Sequence, residues 1–151
     1  MSTDRGDMAW YVCGPMTRVP RFNYPLFHLV AHHLRLYPGL TVISPTELDS
    51  KEMQAAAWAS PDGDPTKLAS ETGETWGDVL ARDVRLIEKQ VGRFALLPRW
   101  QESRGARLEV FVGLLVGITT FKEVLFTPQG EPVLVDQTVE QIRQKIRENM
   151  P

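Results

Sequence analysis

Short apolar runs that stop at glycine or proline alternate along this chain with longer segments of helical periodicity. Met8–Cys13 (MAWYVC) is the first such run, and the Gly14-Pro15 pair ends it as it would end a buried strand. Pro25 then opens a segment whose apolar residues keep the spacing of a helix until Pro38-Gly39. Because strands that alternate with helices form a parallel sheet covered on both faces, the sequence predicts an α/β fold.

Five strands and four helices are predicted in all. The strands are Met8–Cys13, Leu40–Ile43, Phe94–Leu97, Ile118–Phe126 and Pro132–Val135. Three helices begin at Pro25 and after Thr75 and Ser103, and a fourth spans Thr138–Asn149. Between the second strand and Thr75, the segment Ser60–Thr66 (SPDGDPT) has the Pro, Gly and Asp content of turns, so we expect residues 59–75 to form a mobile loop.

The charge and hydropathy of the 151 residues exclude several kinds of partner. The chain has 17 Lys and Arg against 19 Asp and Glu, which argues against a nucleic-acid polymer as ligand, since duplex binding needs a broad basic surface. No apolar run approaches the ~20 residues that cross a bilayer, and Met1–Trp10 lacks the apolar core of a signal peptide. We therefore expect one cytoplasmic domain over residues 1–151, with no membrane partner.

The cysteine and histidine content predicts no metal centre. Cys13 is the one cysteine of the chain, which excludes an internal disulfide and a multi-cysteine zinc site. His28 and His32 lie one helical turn apart, but no third ligand accompanies them. We therefore expect neither a metal ion nor another cofactor.

The first third of the chain carries only basic charges over a long stretch. Between Asp7 and Glu47 there is no acidic residue, whereas Arg18, Arg21 and Arg35 lie there. Such a stretch close to a glycine suits an anionic small ligand, and a surface that merely lacks acids gives the same pattern.

Glu109 is an acid in an apolar helix. Every other residue from Leu108 to Ile118 is apolar or glycine. An ionised carboxylate in such surroundings costs several kcal/mol unless something compensates it. The pattern favours a functional carboxylate, and the alternative is a salt bridge to Arg18 or Arg107.

Asp83 also lies where packing alone would not place an acid. It follows Leu80 by three residues and precedes Ile87 by four, so it borders the apolar stripe of the helix after Thr75. A functional carboxylate fits this position, and the alternative is an acid at the edge of the stripe, paired with Arg82 or with its neighbour Arg85.

The start of the helix that carries Glu109 is suited to a phosphate. Ser103, Arg104, Gly105 and Ala106 offer a hydroxyl, backbone N–H groups and the positive end of the helix dipole. Six residues at ~1.5 Å each place Glu109 roughly 9 Å further along the axis, about the distance from a 5′-phosphate to the anomeric carbon of its sugar. The turn after the first strand, which could close over the same phosphate, consists of Gly14, Pro15, Met16, Thr17 and Arg18.

Four segments together resemble one family of enzymes. These are YVCGPM (Tyr11–Met16), ISPTELD (Ile43–Asp49), ARDVRLI (Ala81–Ile87) and WQESRGARLE (Trp100–Glu109). The combination is similar to the nucleoside 2-deoxyribosyltransferase superfamily, above all to the small DUF4406 proteins frequent in phage genomes and to deoxynucleoside 5′-monophosphate N-glycosidases. The resemblance covers about residues 8–118. It implies a Rossmann-like (flavodoxin-like) sheet of about five strands and a homodimer or higher homo-oligomer.

The resemblance also implies roles for single residues. Glu109 matches the family's nucleophile, and Asp83 matches the acid that assists departure of the base. Tyr11 matches the tyrosine that positions the nucleophile, while Ser103 and the loop 14–18 match the phosphate contacts. Where many relatives carry an aspartate that faces the base, this chain has Gly92.

The expected reaction is hydrolysis of the base–sugar bond of a (deoxy)nucleoside 5′-monophosphate through a covalent sugar–enzyme intermediate. Exchange of bases, as in a nucleoside 2′-deoxyribosyltransferase, and non-catalytic binding or sensing of a nucleotide are the alternatives. In a purely structural alternative, Glu109 is salt-bridged, and the small residues on its helix face pack two subunits. These small residues are Ala106, Gly113 and Gly117.

Overall fold

A computed structural model describes residue 5 and residues 7–150 of the chain; residues 1–4, 6 and 151, which the predicted domain includes, lie outside the described residues. The strands are β1 (Ala9–Cys13), β2 (Val42–Ile43), β3 (Val91–Leu96), β4 (Thr120–Phe126) and β5 (Pro132–Gln137). The helices are α1 (Tyr24–Arg35), α2 (Pro45–Leu48), α3 (Lys51–Ala59), α4 (Pro65–Thr72), α5 (Trp76–Gln90), α6 (Arg104–Leu115) and α7 (Val139–Asn149). Within the described residues, no helix combines the length and the hydropathy that a membrane crossing requires.

The strands form one sheet in the order β2-β1-β3-β4-β5. β1 pairs parallel with both β2 and β3, and β3 pairs parallel with β4, so the expected α/β, Rossmann-like (flavodoxin-like) fold is confirmed. The chain crosses to opposite sides of β1 to form β2 and β3. In sheets of this kind, ligands bind in the crevice at the carboxyl ends of the two strands where the order reverses, here β1 and β3.

β5 differs from the predicted parallel arrangement, because it runs antiparallel to β4. The turn between them is tight: Thr127 donates its backbone N–H to the carbonyl of Glu131 at 2.9 Å, and Gly130 has a φ of +82°. So few residues close a hairpin, whereas a parallel crossover needs about a dozen.

Helices cover both faces of the sheet. α1 packs on one face, over Val12 and Leu97, while α5, α6 and α7 pack on the other, over Tyr11 and Phe94. Since successive side chains of a strand point to opposite faces, Tyr11 and Cys13 of β1 both lie on the side of α5 and α6. The sheet therefore delivers a hydroxyl and a thiol to the helices that carry the two predicted acids.

The small residues of α6 bring this helix close to the sheet. A Cβ added at Gly113 would stand 2.6 Å from the ring of Phe94, and Ala106 is buried on the same side. Gly113 and Ala106 thus face the sheet of their own chain. The outward side of α6 carries three exposed apolar side chains, Leu108, Phe111 and Leu115.

The prediction of a loop over residues 59–75 is wrong for the part that forms α4. Asp64 caps this helix by accepting the N–H of Thr66 at 2.9 Å, Pro65 lies in its first turn, and Gly73 ends it with a φ of +77°. An Asp-Pro pair occurs in turns and also at helix starts, and here it starts a helix. α2 and α3 were not predicted either.

Candidate active site

Glu109 lies on the inward side of α6, where the sheet leaves it 7% exposed. The hydroxyl of Tyr11 donates a hydrogen bond to its Oε2, and the Sγ of Cys13 lies 3.8 Å from its Oε1. In the described part of the chain no cation pairs with Glu109. Arg107, one of the two partners considered, donates instead to the carbonyl of Gln101 at 2.9 Å. The predicted burial of an uncompensated acid is thus observed.

Asp83 approaches the same place from α5, which packs against α6. It is 5% exposed, and Arg82 contacts its Oδ1 through Nε at 2.9 Å and through Nη2 at 2.8 Å. Asp83 is therefore both buried, as a functional acid would be, and paired with Arg82, as its alternative required.

Arg82 joins Asp83 to a second buried acid, Asp49. Its Nη1 lies 2.7 Å from Asp49 Oδ1, and the hydroxyl of Tyr24 donates to Asp49 Oδ2. A continuous polar chain thus runs from Tyr24 through Asp49 and Arg82 to Asp83. Asp49 was not predicted for the site. The one available signal was that Asp49 ends the second of the four family-like segments.

Burial raises the pKa of both central acids. The pKa of Glu109 rises to about 8, chiefly through burial and then through the charge of Asp83, against the lowering effect of hydrogen bonds from Tyr11 and Cys13 and of the charge of Arg82, which does not contact Glu109 directly. Burial also raises the pKa of Asp83, to about 6, while Arg82 lowers it. Such neighbours titrate as a pair, so the two acids share protons over this range.

The start of α6 has the capping geometry that its sequence predicted. Ser103 Oγ accepts the backbone N–H of Ala106 at 3.3 Å, and Arg104 is exposed at the first helical position. Where a Cβ would stand on Gly105, the ring of Trp76 lies 3.9 Å away. Gly105 precedes Glu109 by one turn, so the half-exposed Trp76 packs against α6 one turn before Glu109.

The loop after β1 leaves the sheet close to the end of β3. A Cβ on Gly14 would stand 2.6 Å from that of Leu97, so only glycine permits this approach. The carbonyl of Pro15 accepts a hydrogen bond from Asn23 Nδ2 at 2.9 Å. These contacts place the loop at the same sheet edge as the start of α6.

Further along this loop, the residues divide between packing and exposure. Met16 packs against two apolar clusters, whereas the side chains of Thr17 and Arg18 are exposed. The backbone N–H of Arg18 donates to the carbonyl of Gly63 at 2.8 Å. The side chains of Thr17 and Arg18 can therefore meet a ligand, while this N–H group is already engaged.

Two cavities of the described residues lie away from Glu109. One of about 60 Å³ is enclosed by residues that include Phe22 and Leu68, and a groove of about 480 Å³ follows α5 beside Arg82 and Arg85. Glu109 lines neither of them.

Gly92 does not lie where the family resemblance placed a residue that faces the base. It is the second residue of β3, at the amino end of the strand, and a Cβ there would stand 1.7 Å from the carbonyl oxygen of Arg5. Ligands of this fold bind at the opposite edge. That expected correspondence is therefore wrong for this chain.

In comparisons with known protein families, with curated proteins and with solved structures, the chain has no match. Among the described residues, no group of three His, Cys, Asp or Glu side chains is arranged to hold a metal ion.

Proposed function

We propose that the protein is an N-glycosidase that hydrolyses the base–sugar bond of a (deoxy)nucleoside 5′-monophosphate, with Glu109 as nucleophile. The observation that carries this proposal is Glu109 itself, buried without a cation and hydrogen-bonded by Tyr11 at the edge where this fold binds ligands. Cleavage of an N-glycosidic bond passes through an oxocarbenium-like transition state, which a carboxylate beneath the anomeric carbon stabilises. The four family-like segments support the choice of a nucleotide as substrate.

The two acids share one proton, so that one of them can act as the nucleophile and the other as the general acid. At neutral pH the pair holds a proton, because burial raises the pKa of both acids. When substrate binds, the proton passes to Asp83, which donates it to the base as the C1′–N bond breaks and Glu109 bonds to C1′. Water then attacks C1′ and releases Glu109, and the proton of the water returns to the pair.

The phosphate occupies the start of α6 in this proposal. Arg104 and the backbone there offer positive charge, and the exposed Thr17 and Arg18 side chains lie at the same sheet edge. Trp76 supplies an aromatic surface beside Gly105, against which a base can stack. The substrate is therefore a small nucleotide and not a nucleic-acid polymer.

The test is release of free base from a panel of deoxy- and ribonucleoside 5′-monophosphates, followed by chromatography. We expect at least one deoxynucleotide to be cleaved, and Glu109→Gln to lower the rate by ~10³-fold or more. The matched control is Glu102→Gln, since Glu102 is exposed and pairs only with Arg99 within the described residues. Binding without turnover would replace this proposal by a sensing role, and release only in the presence of a second base would replace it by base exchange.

We also propose that the chain acts in the cytoplasm as a homodimer or higher homo-oligomer. The exposed apolar side chains of α6 support a second copy as partner, because they lie on the helix that carries Glu109. They are Leu108, Phe111 and Leu115. Light scattering after gel filtration should give at least a dimer, and Leu115→Ser should dissociate it; a monomeric wild type would contradict this proposal.

A further inference from the structure

One guanidinium closes the solvent side of two buried acids. Arg82 contacts Asp83 Oδ1 through two nitrogens, at 2.9 and 2.8 Å, and Asp49 Oδ1 through the third, at 2.7 Å. The side chain of Arg82 is 29% exposed, whereas those of Asp49 and Asp83 are 4% and 7% exposed. The planar fork of an arginine can span two carboxylates in this way, and the point charge of a lysine cannot.

Asp49 is a fixed anchor for this guanidinium. Its Oδ2 receives the hydroxyl of Tyr24, and its backbone carbonyl accepts Gln54 Nε2 at 2.7 Å. Arg82 Nη2 also donates to the carbonyl of Pro45 at 3.2 Å. Because Asp49 is held from several directions, Arg82 cannot turn toward solvent without leaving a buried charge unpaired.

We propose that Arg82, anchored by Asp49, is a positioning residue that holds the Asp83 carboxylate in place, and in its charged form, beside Glu109. The consequence for turnover rests on the proposed function, whereas the consequence for Asp83 itself does not.

Arg82 is the one cation among the charged and titratable groups of the described residues that face Asp83. The others are Asp49 after α2, Glu109 on α6, and Tyr11 and Cys13 on β1. All of these are acids or neutral groups at neutral pH. Removing Arg82 should therefore make Asp83 harder to ionise, because burial and the charge of Asp49 would then be opposed only by the hydrogen bond from Tyr11.

The test is a ¹³C NMR titration of the labelled carboxyl groups, in which the signal of Asp83 is assigned by its loss in Asp83→Asn. We expect Asp83 to titrate at a pH about 1–3 higher in Arg82→Gln than in the wild type. The control is Arg85→Gln, which removes an equal charge from an exposed residue of the same helix and should leave the titration unchanged. Should Arg82→Gln fail to fold, the double variant Asp49→Asn/Arg82→Gln removes the excess buried charge, and Asp83 should then titrate at a higher pH than in Asp49→Asn alone.

Kinetics with the cleaved nucleotide then test the positioning role. Arg82→Gln should lower kcat about 10–100-fold with little change in KM, and Arg82→Lys should restore the Asp83 titration but not kcat. Full recovery of kcat in Arg82→Lys would overturn the positioning role, as would an unchanged Asp83 titration in Arg82→Gln. If the wild type cleaves no nucleotide, the proposed function fails, and the titration still decides whether Arg82 controls Asp83.

Discussion

The described residues include two buried pairs, each made of a tyrosine and an acid. The pairs differ in whether a cation also contacts the acid. Tyr24 donates to Asp49 and Tyr11 donates to Glu109, and both acids are 7% exposed. Asp49 also receives Arg82, whereas Glu109 has no cation within the residues described. Burial and a tyrosine hydrogen bond therefore do not by themselves distinguish a reactive acid from a structural one, and the presence or absence of a counter-charge does.

The difference has an energetic meaning. A buried acid with its cation and hydrogen bonds in place is compensated, and removal of one partner is what destabilises the protein. A buried acid without a cation prefers to hold its proton, so its ionised form is high in free energy. A positive charge that develops beside it lowers this free energy. Glu109 fits the second case, and Asp49 fits the first.

The largest contrast is expected in turnover when each acid is made neutral. Glu109→Gln removes the nucleophile and should lower kcat by ~10³-fold or more. Asp49→Asn acts only through the placement of Arg82 and should lower kcat by about tenfold. Initial rates of base release, with the same nucleotide, measure both. Equal losses would abolish the distinction between the two acids.

A smaller contrast is expected for the two tyrosines. Tyr11→Phe leaves Glu109 misplaced and should lower kcat about 10–100-fold, whereas Tyr24→Phe should change kcat less than about threefold. Each variant loses a buried hydrogen bond, at about 1–3 kcal/mol of unfolding free energy. Kinetics and urea denaturation of both variants check this. A larger effect of Tyr24→Phe on kcat would reverse the assignment of the two pairs.

The smallest effect concerns stability against pH. In the folded protein the pKa of Glu109 is about 8, whereas in the unfolded chain it is about 4.3. The folded state thus binds more protons between these values, so the unfolding free energy of the wild type should fall as pH rises through them.

Glu109→Gln removes this dependence. At pH 8 it should exceed the wild type by on the order of 2 kcal/mol of unfolding free energy, or roughly 4–8 °C in Tm, and at pH 4 the gain should vanish. Urea denaturation at the two pH values measures the difference. A gain that is the same at both would contradict an uncompensated acid at this position.

The order of strands and helices was predictable because each element has a local signal. Thr75 and Thr138, for example, begin capping boxes that the structure shows complete. α4 was missed because its Asp64-Pro65 start has the composition of a turn, and the direction of β5 was missed because periodicity does not encode direction.

The candidate site, too, was predictable only in part. Glu109 and Asp83 were detectable because each is an acid on an apolar helix face, where the local pattern calls for an apolar residue. The link between Arg82 and Asp49 was not, because it joins residues 33 positions apart, and Asp49 alone is an ordinary charged residue. Only the fold brings such partners together.

The most direct test is the titration of the Glu109 carboxyl in the wild type by ¹³C NMR, with Glu109→Gln to assign the signal. An acid buried without a counter-charge should titrate near pH 8, well above the ordinary range of glutamate. A titration near the ordinary value of about 4.3 would show that Glu109 is compensated or solvated, and would contradict its role as the working acid.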